Sequence, residues 1–121
     1  MEFIKSKDIR ELSNPGVISR QLLNPENSAS DKVTVTEVHL ETGAVQPRHI
    51  HEFSEQIWYA VRGKGKLLLG DGAEKEFEAG DVVRFPARDV HGLKNDGETD
   101  FVYISVTAPP INFKYAYREE K

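Results

Sequence analysis

The 121-residue chain contains no cysteine. That excludes disulfide staples, thiolate nucleophiles and thiolate metal sites, so any bound metal must rest on imidazole, carboxylate or amide oxygen. There is no long uncharged apolar run, and residues 1–8 lack the apolar core of a signal peptide. Membrane spanning and secretion are therefore not expected, and the cytoplasm is the expected compartment. A basic stripe is also missing. The 16 Lys and Arg are interspersed with 20 Asp and Glu, for a net charge of −4, which argues against a nucleic-acid partner. No segment sustains a helical period. The length fits one domain with a core of its own.

The chain instead carries a succession of short β-forming stretches separated by Gly, Pro, Asn and Asp. They fall at residues 17–23, 33–40, 49–51, 56–61, 66–69, 74–77, 82–85, 91–94 and 101–106, with turn signals such as Asn14-Pro15-Gly16, Gly70-Asp71-Gly72 and Asn95-Asp96-Gly97 between them. This spacing predicts an all-β sandwich or barrel. In the N-terminal part, Phe3 and Ile4 read as an edge strand, and residues 6–12 as a short helical turn. Near the C-terminus, Phe113, Tyr115 and Tyr117 alternate with Lys114, Ala116 and Arg118. That alternation predicts a final strand laid over a barrel edge or across a partner subunit. Together with the strand-forming N-terminal segment, which a lone small barrel would struggle to cover, it predicts a homodimer.

Chemistry concentrates on three of the four histidines. His49 and His51 are separated by one residue, so on extended backbone both imidazoles point to the same side, forming half of a metal site. His91 follows a strand that ends at Pro86 and a tight turn, a geometry suited to delivering a third imidazole. His39 lies outside this grouping and reads as a strand-face residue.

Together these two stretches resemble the paired motifs of the cupin superfamily. Gly43, His49, His51 and Gly63 occupy the first motif, and Gly80, Pro86, His91 and Asn95 the second, with Arg88 where the pattern has glycine. Sixteen residues separate Gly63 from Gly80. The resemblance covers residues 33–107. It implies a double-stranded β-helix (jelly-roll) barrel over residues 32–107, with extensions over 1–31 and 108–121. It also implies one divalent transition metal ion (Mn, Fe, Ni, Co or Zn) in the barrel mouth, on three imidazoles and a carboxylate.

This sequence has Gln56 at the position that the family gives to the carboxylate, with Glu55 adjacent. Strand parity places Gln56 on the inward face with Trp58 and Ala60, and a one-residue bulge would exchange it for Glu55. The ligand set implied is thus His49, His51, Gln56 and His91. A neutral amide leaves the ion its full charge, which favours an anionic guest. Small cupins that open unsaturated uronates share this His-His-Gln-His set. They also use an acidic residue on the last barrel strand, where residues 101–107 here have none.

Among supporting residues, Trp58 is expected on the pocket wall and Tyr103 or Ser105 as a proton donor, with Arg48 and Arg84 as surface cations. The reading that follows is a metal-dependent isomerase or lyase acting on a small anionic or polyhydroxy molecule. An Fe(II) dioxygenase and a non-enzymatic ligand sensor are the competing readings.

Overall fold

The computed structural model describes residues 1–120, and eleven strands carry almost all of its regular structure. In chain order they are β1 (Arg10–Asn14), β2 (Val17–Leu23), β3 (Thr34–Leu40), β4 (Val45–His49), β5 (Glu55–Arg62) and β6 (Lys64–Leu69). They continue with β7 (Glu74–Glu78), β8 (Val82–Phe85), β9 (His91–Lys94), β10 (Phe101–Ala108) and β11 (Glu119–Glu120). Two antiparallel sheets result, one ordered β11-β1-β2-β3-β10-β5-β8 and the other β4-β9-β6-β7. This is the jelly-roll that the spacing of strands and turns predicts.

Alternation along the strands decides what the barrel encloses. β3 reads buried at every second residue, with Thr34, Thr36, Val38 and Leu40 inward. On β10 the inward set is Phe101, Tyr103, Ser105 and Thr107. Burying one face of each strand locks its register, because a one-residue slip would turn that set to solvent. The apolar core gathers Val17, Val38, Leu40, Leu67, Phe77, Leu93 and Phe101 from both sheets.

Glycine is required where β5 turns into β6. Gly63 sits at φ +98°, and a Cβ there would stand 2.9 Å from the Asp100 carbonyl oxygen.

Four local expectations need correction. Phe3 and Ile4 form no strand, and Phe3 is exposed. The helical turn covers only Ser6–Asp8; from Arg10 onward the chain is strand, because the Asn14-Pro15-Gly16 turn closes a hairpin between β1 and β2. The strand expected at 49–51 instead begins at Val45, runs through Pro47 and ends at His49. Proline is tolerated there because β4 is a sheet edge and its pairing with β9 is irregular between Gln46 and His49. Finally, Phe113–Ala116 is a 3₁₀ turn, capped by the Asn112 side chain accepting from Lys114 N–H at 3.1 Å. The aromatic residues there do not alternate across a sheet. The last strand comes later, at β11, pairing with Leu12 and Ser13 of β1.

Candidate metal centre

β4 and β9 are hydrogen-bonded neighbours, and their register sets His49 directly opposite His91. His51 lies two residues past the end of β4. Its carbonyl oxygen accepts the Arg88 N–H at 2.8 Å, which ties the loop after β4 to the turn before β9. Arg88, in the place of the motif's glycine, holds φ at +73°. The three imidazoles therefore converge: one ligand atom from each lies within 4.8 Å of the others.

Backbone carbonyls fix two of the rings. His49 Nδ1 is 2.8 Å from Pro47 O, and His91 Nδ1 is 2.8 Å from Asp89 O. A carbonyl oxygen only accepts, so each Nδ1 carries the proton and each Nε2 presents its lone pair. Burial pushes His51 and His91 down to about 4; the His49 imidazole helps for His51, and for His91 the bond to Asp89 opposes the shift while His49 and His51 add to it. His49 is lowered as well, chiefly by burial and against the bond to Pro47. All three rings are neutral near pH 7, the form that ligates metal.

Gln56 turns inward and is buried, whereas Glu55 points outward and pairs with Arg84 at 2.6 Å. The Gln56 amide is oriented by two neighbours. Trp58 Nε1 donates to Oε1 at 3.0 Å, and Nε2 donates to Thr107 Oγ1 at 2.9 Å. Trp58 can only donate, so the oxygen must face it. That same oxygen stands 3.1 Å from His91 Nε2. Two lone-pair-bearing atoms thus face each other, a contact that a cation between them and the neighbouring imidazoles would relieve. His51 Nε2 is buried with no hydrogen-bond partner among the described residues. Neutral nitrogen donors, an amide oxygen and an orphaned buried nitrogen fit a divalent transition metal.

The centre opens into a cavity of about 610 Å³, lined by His49, His51, Gln56, Trp58, Tyr103 and Ser105 among others. His91 lies behind, stacked on Phe85 with ring centroids 4.5 Å apart. Trp58 stacks on Tyr103 at 4.3 Å. The Tyr103 hydroxyl donates to Gln46 Oε1 at 2.7 Å, and burial raises its pKa well above the ordinary phenol value. No carboxylate among the described residues lines the cavity.

Arg48 lines the rim, but its guanidinium donates to the Leu69 and Ala73 carbonyls. His39 pairs with Glu37 at 2.9 Å, away from the centre. Sequence reasoning missed Gln46, Thr107, Ser19 and Thr36, all ordinary strand residues without a motif signal. It also missed Phe113, which packs edge-on against His51 at 5.8 Å.

The chain is 28% identical over 101 residues to the uncharacterized protein MJ1618 of Methanocaldococcus jannaschii, covering 84% of this chain and 80% of that one. It is 29% identical over 79 residues to glucose-6-phosphate isomerase of Thermococcus onnurineus, covering 60% of this chain but only 42% of that enzyme. KdgF from Halomonas sp. has a similar fold, with a TM-score of 0.76, 24% identity and coverage of 92% of this chain and 96% of that one. Residues 36–107 match the Cupin domain family. With more than half its length in that match and three imidazoles gathered as a cupin gathers them, the chain belongs to the cupin family.

Proposed function

We propose that this protein is a metal-dependent cupin that binds a compact anionic or polyhydroxy molecule, a carboxylate or sugar acid, and isomerises it or cleaves it as a lyase. His49, His51, His91 and the Gln56 oxygen would hold one divalent ion. When bound, that ion supplies Lewis-acid polarisation and a template for oxygen ligands, its charge uncancelled by any carboxylate. The observation that carries this reading is the 3.1 Å contact between His91 Nε2 and Gln56 Oε1, two acceptors facing each other with a third, orphaned nitrogen nearby.

The chain's own residues have separable parts. Trp58 orients the Gln56 amide and forms wall. Tyr103, held neutral by burial, is a proton donor and not a base. A cavity that no carboxylate among the described residues lines does not repel an anion. Support for the substrate class comes also from the Thermococcus relative, whose name describes isomerisation of a phosphorylated sugar. We also propose a cytoplasmic homodimer; Ile57, Tyr59, Val61 and Val82 form an exposed apolar strip on the outer face of β5 and β8 that a second copy would cover.

Elemental analysis after dialysis tests the centre. The parent should retain about one metal ion per chain, and His91→Ala should retain less than about a tenth of that. Equal metal content in the two proteins would end the proposal.

A further inference from the structure

Two buried polar side-chain atoms lack a hydrogen-bond partner among the described residues. His51 Nε2 is accounted for by the metal centre. The other, Ser105 Oγ, is not. Ser105 is 2% exposed and lines the cavity. Its register partners are Trp58 on β5 and Thr36 on β3. An unpaired buried hydroxyl lowers stability, and alanine would fit the same space without that cost.

Ser105 is part of a larger feature. Ser19 on β2, Thr36 on β3 and Ser105 on β10 all face inward, all are buried, and all line the cavity. Ser19 Oγ already accepts from Gln21 Nε2 at 2.8 Å. These hydroxyls stand on the seven-stranded sheet, whereas His49 of β4 belongs to the other sheet and lines the same cavity. The space therefore has a metal-ligating side and a hydroxyl-bearing side. Buried hydroxyls both donate and accept, which matches the alcohol groups of a polyol and gives nothing to an alkyl chain.

We infer that this hydroxyl shelf is a binding site for the alcohol groups of the guest, so that the ligand is a polyhydroxy acid whose acidic end lies toward the imidazoles and whose hydroxylated carbons reach Ser105. The orientation rests on the proposed metal centre; the shelf itself does not.

Calorimetric titration with D-gluconate and with hexanoate, acids of equal carbon count, tests it. On the Mn(II)-loaded parent, gluconate should bind at least about tenfold more tightly than hexanoate. Ser105→Ala, and independently Thr36→Val, should weaken gluconate about tenfold while leaving hexanoate affinity and metal content unchanged. Without ligand, the melting temperature of Ser105→Ala should equal or exceed that of the parent. Equal affinity for the two acids, no gluconate binding, or unchanged gluconate affinity in both variants would overturn the shelf while leaving the metal centre standing. A lowered melting temperature for Ser105→Ala would show a structural role and overturn it too. If the parent retains no metal, the centre fails, and the same comparison of parent and variants on metal-free protein still judges the shelf.

Discussion

Along the inner face of the seven-stranded sheet, one end of the barrel differs from the other in steps of two residues. The first row across the strands is Val17, Leu40 and Phe101. Next come Ser19, Val38, Tyr103 and Ala60, then Gln21, Thr36, Ser105 and Trp58, and last Thr34, Thr107 and Gln56. Strand parity points all of them inward. Residue chemistry alone changes, from hydrocarbon at one end to hydroxyl and amide at the other. The apolar rows stabilise the barrel through burial and packing. The polar rows hold groups whose burial is costly unless a partner or guest satisfies them. The stabilising core and the proposed site thus occupy neighbouring stretches of the same strands.

The sharpest way to break this contrast is to empty the apolar end. Phe101 is fully buried and stacks on Phe77 at 5.7 Å. Phe101→Ala should cost about 3–5 kcal/mol in urea unfolding. Ser105, four residues further along β10, should cost nothing on truncation. A loss of under about 1 kcal/mol for Phe101→Ala would mean that the core lies elsewhere.

Acid probes the other end. In metal-free protein, His51 and His91 titrate near 4 when folded but near their ordinary 6.5 when unfolded. The unfolded chain therefore takes up protons first, and stability should fall as pH drops from about 6.5 toward 4, by up to about 1.4 kcal/mol per pH unit for each ring, then level off. Urea midpoints between pH 7.5 and 4 measure this. A flat profile would place these rings in contact with water.

The smallest effect concerns the turn inside the second motif, between β8 and β9. Arg88 at φ +73° carries a backbone strain that glycine does not. Arg88→Gly should raise stability, by up to about 1 kcal/mol after the unfolded-state entropy of glycine is counted. A clear loss would show that the arginine side chain contributes more than its backbone costs.

Much of the fold was legible because turns and alternation are local properties. The strand over 82–85, the hairpin at Gly70-Asp71-Gly72 and the inward placement of Gln56 over Glu55 follow from turn chemistry and the period of two. The C-terminal aromatics misled for the same reason. Alternation of Phe113, Tyr115 and Tyr117 looks like a strand, but Asn112 caps a 3₁₀ turn instead. Asn14 Nδ2 then donates to Ala116 O, and its Oδ1 accepts the Arg118 N–H, pinning this segment to the β1–β2 turn.

Residue order alone favoured Gln56 over Glu55 on the inward face and picked out the histidines that carry the motif, since both depend on spacing along extended backbone. The meeting of those histidines needed the tertiary structure. It came from the pairing of β4 with β9, the bond from Arg88 N–H to the His51 carbonyl, and the packing of Phe113 against the His51 ring. Each of these joins positions far apart in the chain, and such contacts form only when the whole barrel buries its core at once.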